Sequence, residues 1–545
     1  MQTEQTMISV GKGSQGMCGL LPSMAMRHGL IAGATGTGKT VTLKVLAEGF
    51  SKLGVPVFLV DFKGDVSSMA KAGSMNEKLA ARLTENGIDP DSFDFAGFPV
   101  RFWDVFGENG IPVRAKISDL GPDLLARLLA LTPAQTGVLN IIFRVADDRG
   151  WQLIDLKDLK AMAGYVSDHR KELQNDYGTI SSASAGAIVR AVLALENQGA
   201  ESFFLEPDLN IRDWFTQNGG LGTINLLEAS RLGQNPLLYS TFLLWMLSEL
   251  YEALPEAGAL DKPKLVFFFD EAHMIFDGAP KALRDKILQV VRLIRSKGVS
   301  VWFITQNPSD LDDEVLSQLQ NRIQHALHAY TPADQKKLKA AAAGFRPNPQ
   351  LDTLAELSAL KTGQALVSFL DENGAPLPVE KVTVLPPRSS FDALSTEEIR
   401  SLEASDPMMV YYEKAVDNYS AYEALEDESE KELQAKAEEE KRIQAEKEEA
   451  AARKQAEKEE AAARKQAEKE AAAAAKAEQK RQEARSKALS SSVKRASKSA
   501  ARSIGRDVGK SITRGILGSD NSTAKKAAGN FAGNLLGDLI GGLFR

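Results

Sequence analysis

Residues 33–40 read Gly-Ala-Thr-Gly-Thr-Gly-Lys-Thr, placed between an apolar stretch (Leu30, Ile31, Ala32) and a helix-forming segment, VTLKVLAEGF. No other feature limits the possible folds as much. The spacing G-x-x-x-x-G-K-[ST] in that context is a phosphate-binding loop. Its glycines let the backbone bend so that several N–H groups converge on phosphate oxygens, and the helix N-terminus behind them adds partial positive charge. Gly33, Ala34, Thr35, Gly36, Thr37 and Gly38 then form the cradle. Lys39 is expected to reach the β- and γ-phosphates, and the Thr40 hydroxyl to ligate Mg2+.

A phosphate loop alone says only that a nucleotide binds. A second element is Lys264-Leu-Val-Phe-Phe-Phe-Asp270-Glu271-Ala-His273, a buried apolar strand that delivers two acids at its C-terminal edge, where ligands of open α/β sheets bind. Asp270 is expected to hold the metal through water, and Glu271 to polarise the attacking water as general base. The third element, VSVWFIT, ends in Gln306. If this strand lies between the other two, Gln306 can hydrogen-bond the γ-phosphate or the lytic water.

Apolar runs, turns and amphipathic segments alternate up to about Ser420, as in an α/β domain. Strands are expected at His28–Ala32, Val55–Val60, Leu221–Leu226, Leu265–Phe269 and Val299–Thr305, and a helix at Lys39–Lys52. Continuous apolar strands such as LVFFF are those of a mainly parallel sheet buried on both faces. The stretch from about 120 to 205 reads as helices (Asp123–Leu131, Ala134–Asp147, Leu156–Ala163, Ala183–Glu196) and is expected to be an insertion on that sheet. The expected regions are an ATPase-type domain over 1–400, a charged helical spacer over 421–488 and a basic, Gly-rich tail over 489–545.

The spacer repeats Gln-Ala-Glu-Lys-Glu-Glu-Ala-Ala-Ala-Arg-Lys at 444–454 and 455–465, with a near copy at 466–476. These are strong helix formers, with well-oriented pairs such as Glu449 with Arg453. Alanine is the only apolar contact on offer, so a solvated single helix acting as a spacer is expected, with weak coiled-coil oligomerisation as the alternative. Beyond it, Ala500–Leu517 places Ile504, Val508, Ile512 and Ile516 at spacing four, with Arg502, Arg506, Lys510 and Arg514 interleaved. That is a basic amphipathic pattern, suited to an anionic surface or a partner's groove. The Phe531–Phe544 end is apolar but short.

The net charge of −7 is unevenly distributed: from Arg481 onward 13 Lys and Arg stand against 4 Asp and Glu, and the preceding residues carry 53 against 69. An acidic body with a basic tail points to an anionic partner, a nucleic acid, a membrane or an acidic protein, at one end. The single cysteine, Cys18, excludes an internal disulfide framework. The five histidines are not spaced as zinc ligands. No apolar run reaches the roughly 18 residues that span a bilayer, and Met1 opens no signal pattern. The expected location is cytoplasmic.

The segments RHGLIAGATGTGKT, FLVDFKGDVS, LVFFFDEAHMIF and RLIRSKGVSVWFITQNPSDL–EVLSQLQNRI strongly resemble the HerA/FtsK superfamily of RecA-like P-loop ATPases, and more narrowly the bacterial HerA-like helicase group. The resemblance covers about residues 8–390, and AARSIGRDVGKSITRGILGS is similar to that group's usual end. It implies a RecA-like core and a ring, usually hexameric, with ATP and Mg2+ sites between subunits and movement along double-stranded DNA. On matching positions it gives Lys39, Thr40, Asp270, Glu271 and Gln306 the roles argued above. It also implies that Arg295 reaches into a neighbour's site, with Arg322 a second candidate, and that Arg27 and Asp61 lie near the nucleotide. Archaeal members carry an N-terminal nuclease-docking barrel, whereas about 25 residues precede the first strand here, so a nuclease partner is not expected. Basic stretches for a DNA channel are Lys281 to Lys286 and Lys336 to Lys339. The leading expectation is a DNA translocase or helicase-like ring motor. The alternative is an ATP-dependent switch or assembly protein whose spacer and tail recruit a protein or membrane.

Overall fold

The runs VFLVD, LVFFF and VSVWFIT form strands in which every residue is buried, so both of their faces must be covered. The computed structural model describes residues 7–276 and 281–495. In chain order the strands are β1 (Ile8–Gly13), β2 (Gly16–Leu20), β3 (Gly29–Ala32), β4 (Val57–Asp61), β5 (Val100–Asp104), β6 (Ile111–Pro112), β7 (Gln217–Asn218), β8 (Leu221–Gly222), β9 (Ile224–Glu228), β10 (Leu265–Phe269), β11 (Val299–Thr305), β12 (Asn321–His325), β13 (Gln364–Ser368) and β14 (Glu380–Val384). Twelve of them form one sheet in the order β2-β1-β14-β13-β12-β3-β11-β10-β4-β9-β5-β6, and β7 with β8 makes a separate antiparallel ribbon. From β12 to β6 the strands are parallel. At the other side β13, β14, β1 and β2 join antiparallel.

Alternation along each strand divides the core between the two faces. Phe58, Val60, Phe267, Phe269, Val301 and Phe303 enter one cluster, while Val57, Leu59, Val266, Phe268, Trp302 and Ile304 enter the other. The phosphate-loop helix, Lys39–Lys52, covers the second face with Leu43, Leu46, Ala47 and Phe50. The first face carries the Pro236–Ala253 and Lys281–Ile294 helices together with the expected insertion. The insertion consists of helices Ile117–Leu128, Pro133–Arg149, Leu156–Asp168, Arg170–Tyr177 and Ser182–Glu196 between β6 and β7. Its buried Leu139, Met162, Ile188 and Val192 belong to the same continuous core as the sheet. The RecA-like expectation, a mainly parallel sheet with a helical insertion and a long charged helix after it, is met.

The described chain falls into two units, one through Ala437 and one from Glu438. In the first, residues after the last strand are tied back to the body: Arg101 Nε pairs with Asp406 Oδ2 at 2.7 Å, and Arg114 Nη1 donates to the Tyr412 carbonyl at 2.6 Å. The Ala421–Arg495 helix starts here with Ala421 and Ala424 buried and Lys157 bridging Asp417 and Glu423. In the second unit, residues 438–488 of that helix are exposed throughout. Gln444 and Gln455 donate to Glu448 and Glu459, repeating one contact at the eleven-residue interval. No single helix among the described residues is long and apolar enough to cross a membrane. The Ala500–Leu517 pattern and the Phe531–Phe544 end lie outside the described residues.

Candidate functional site

The C-terminal ends of β3, β11, β10 and β4 lie side by side, so the loops that follow them share one edge of the sheet. After β3 the chain turns through Gly33 (φ 155), Gly36 (φ 76) and Gly38 (φ 114), conformations that side chains strongly disfavour. Gly33 is also sterically required: a Cβ there would lie 2.5 Å from the His325 Cβ. His325 is itself fixed, its Nε2 paired with Thr42 Oγ1 at 2.8 Å and its Nδ1 with the Gln364 carbonyl at 3.0 Å. The Lys39 ammonium folds over the loop and donates to the carbonyls of Gly33 (2.6 Å) and Ala34 (3.2 Å). The Thr37 hydroxyl donates to the Ala34 carbonyl. Thr40 Oγ1 lies 3.4 Å from Asp65 Oδ2.

At the end of β10, Asp270 and Glu271 stand in the same cleft. Burial lowers the Lys39 pKa, and the charges of Glu271 and Asp270 oppose that shift. Burial, and then the charge of Glu271, push the Asp270 carboxyl up to about 6. Burial also raises Glu271, but a hydrogen bond from Lys63 and the charges of Lys63 and His273 outweigh it, so its pKa falls. Lys63 Nζ lies 2.8 Å from Glu271 Oε1. The other oxygen, Oε2, has Gln306 Nε2 and His273 Nδ1 each at 3.5 Å, the outer limit of a hydrogen bond for the amide. His273 Nδ1 makes no aligned hydrogen bond among the described residues. Glu271 has φ 45, a conformation costly for a side chain of its size and retained where surroundings impose it.

β11 does lie between β3 and β10, and it carries Gln306 to a point between the phosphate loop and the acid pair. Asp61 ends β4 at the same edge, but its Oδ1 accepts the N–H groups of Lys63 (3.0 Å) and Gly64 (2.8 Å). Burial holds its carboxyl up at about 6 against those bonds. Asp61 therefore shapes the loop that presents Lys63 and Asp65.

Three arginines do not join this cleft within the chain. Parallel strands enter at one sheet edge and leave at the other, and Arg27 precedes β3 whereas the phosphate loop follows it. Its Nη1 lies 3.4 Å from Gln320 Oε1, and its guanidinium packs over Gly374. Arg295, just ahead of β11, lies at that same far edge, exposed, with its charge felt by the buried His28. Arg322 spends its guanidinium on the carbonyls of Leu319, Gly344 and Leu316. The residues that sequence reasoning passed over are Lys63, Asp65 and His325. Lys63 and Asp65 stand in a charged turn directly after an apolar strand, a signal that was readable beside Asp61. His325 gave none.

The sequence model of the family described as Helicase HerA-like C-terminal matches residues 6–526. A probable helicase of Methanocaldococcus jannaschii is 23% identical over 354 residues, 63% of this chain and 60% of that protein. A second probable helicase of the same organism is 32% identical over 125 residues, 22% of each chain. The chain thus spans less than two thirds of either relative. Among solved structures, the plasmid coupling protein TrwB in complex with ADP and Mg2+ superposes with a TM-score of 0.44 at 18% identity, covering 69% of this chain and 88% of that one. VirB4 of Thermoanaerobacter pseudethanolicus gives 0.44 at 16%, covering 70% and 97%. The family match runs through the whole sheet and its insertion, far beyond the phosphate loop. The chain belongs to the helicase HerA-like C-terminal family of P-loop ATPases.

Proposed function

We propose that this chain hydrolyses ATP as one subunit of a homo-oligomeric ring and couples hydrolysis to movement along double-stranded DNA. The observation that carries the reading is one sheet edge at which the phosphate loop with Lys39 and the acid pair Asp270 and Glu271 come near enough for the acids to act on the Lys39 charge, with Gln306 on the strand between them. In this reading the loop amides and Lys39 bind the triphosphate, and Glu271 takes a proton from the attacking water. Gln306 orients that water. The oxygen donors at hand suit Mg2+: the Thr40 hydroxyl, and the Asp270 carboxyl, whose ionised form a nearby divalent cation would favour against the burial that raises its pKa. Bound there, Mg2+ would neutralise charge on the phosphate oxygens.

Arg295, exposed at the far sheet edge, is the residue to complete a neighbouring subunit's site, where it would stabilise charge on the transferring phosphoryl group. Arg322 is a poorer candidate because its donors are already committed to backbone carbonyls. The DNA reading draws on family membership and on the basic balance of the C-terminal tail. Linear duplex DNA at low salt is expected to raise ATP turnover several-fold, and the stimulation should fade as salt rises. Turnover indifferent to DNA at every salt concentration would favour the ATP-dependent switch or assembly protein instead.

A further inference from the structure

The contact between Lys63 and Glu271 joins residues 208 positions apart and links the loop after β4 to the acid pair after β10. It is built rather than incidental. Asp61 fixes the loop by accepting both the Lys63 and Gly64 N–H groups, and Gly64 supplies φ 75 at the turn. The Glu271 side chain is 11% exposed and that of Lys63 is 50% exposed, so a solvated ammonium reaches inward to a mostly buried carboxylate. The same short loop carries Asp65, which touches Thr40. One loop therefore meets both the acid assigned to activate water and the hydroxyl assigned to hold metal.

A general base needs a free oxygen directed at the water it deprotonates. Glu271 Oε1 is taken by Lys63 at 2.8 Å, and Oε2 faces Gln306 and His273. We infer that Lys63 is a positioning residue that restrains Glu271 by holding its Oε1 toward the loop after β4, so that opening the ion pair frees the carboxylate to turn to the water and accept its proton. Through Asp65, the loop that holds the restraint also reaches Thr40, the hydroxyl assigned to the metal. The inference rests on Glu271 being the base.

Steady-state Mg-ATP hydrolysis by the full chain without DNA tests it, comparing wild type with Lys63→Met, Lys63→Arg and Glu271→Gln. Lys63 is half-exposed and Glu271→Gln keeps the side-chain shape, and thermal unfolding of each variant checks that its fold matches wild type. Lys63→Met is expected to raise kcat about three- to fivefold, the factor carried by a partly solvated ion pair, with KM for Mg-ATP unchanged. Lys63→Arg should return to the wild-type rate. A Lys63→Met protein whose kcat is unchanged or lower, or whose KM rises, overturns the restraint and makes Lys63 a phosphate ligand or an aid to catalysis. Wild-type turnover by Glu271→Gln would remove the base itself and the restraint with it. A dead Glu271→Gln with an unaltered Lys63→Met overturns the restraint alone.

Discussion

Glu271 combines a strained backbone, φ 45, with a carboxylate paired to Lys63 and lying 3.5 Å from Gln306 and His273, and strain of this kind survives where function requires the geometry. Replacing it by glutamine keeps the shape and removes the base. Glu271→Gln should therefore bind an ATP analogue within a few-fold of wild type by calorimetry while hydrolysis falls about a hundredfold or more. Equal loss of binding would make the residue structural. His28 gives a second prediction. Its ring is buried with Nε2 against the Val291 carbonyl and Nδ1 accepting the Val301 N–H, so only the neutral ring fits. Burial, helped by the charge of Arg295, lowers its pKa to about 4. Between about pH 6.5 and 4 the unfolded chain binds a proton that the folded chain refuses. The His28 contribution is thus complete above that window and is lost as pH falls, by up to about 1.4 kcal/mol per pH unit. His325, also lowered to about 4 by burial, acts in the same sense, while Asp61 and Asp270, raised to about 6, act in the opposite one. Urea titrations of wild type and His28→Gln at several pH values isolate the single group, and parallel pH curves would refute it. At this scale Lys39, Thr40, Asp270, Glu271 and Gln306 were readable because each follows or ends an apolar run. Lys63 stood in a visible charged turn, but its pairing with Glu271 was not readable, because the two lie 208 residues apart.

Gly29 makes the closest fit between the phosphate-loop strand and its neighbour: a Cβ there would lie 2.3 Å from the Trp302 ring. The pair β3–β11 sets the distance from the loop to Gln306. Gly29→Ala should therefore destabilise the protein by about 1–3 kcal/mol as an overpacked core substitution, read as a lower urea midpoint with unchanged slope. An unshifted midpoint would mean that the two strands can separate freely. The central strands β3, β4, β10 and β11 were legible as apolar runs, as was the phosphate-loop helix, whereas the expected Leu221–Leu226 strand divides into β8 and the start of β9, which continues to Glu228. β12 was not, because Asn321, Gln324 and His325 interrupt its pattern while being buried. Asn321 is satisfied by the Met24 and His28 carbonyls and His325 by Thr42 and Gln364, partners that no local reading reveals. β1 and β2 escaped for a different reason. They are short glycine-bearing strands at the antiparallel side of the sheet, β2 at its edge and β1 next to it, and in β1 Gly11 allows close approach to the Thr383 carbonyl.

The whole molecule places its nucleotide cleft at one edge of the parallel strands and Arg27 and Arg295 at the other. A ring in which the far edge of one subunit meets the cleft of the next would use that separation. Mixing Arg295→Ala subunits into wild-type protein should then depress ATP turnover more steeply than in proportion to the fraction added, and a linear decline would confine Arg295 to its own chain. The division between an acidic α/β body and a charged helix was legible from composition alone, since the Glu-, Lys- and Ala-rich repeats cannot build a core. How the insertion joins the body was not, because its helices share one apolar cluster with strands scattered across the chain. All of these readings depend on Lys39 gripping a triphosphate beside Asp270 and Glu271. The most direct check is Mg-ATP turnover by wild type and Lys39→Ala purified in parallel. Steady hydrolysis is expected from the first and background hydrolysis from the second. Equal turnover by the two would mean that Lys39 does not hold the triphosphate.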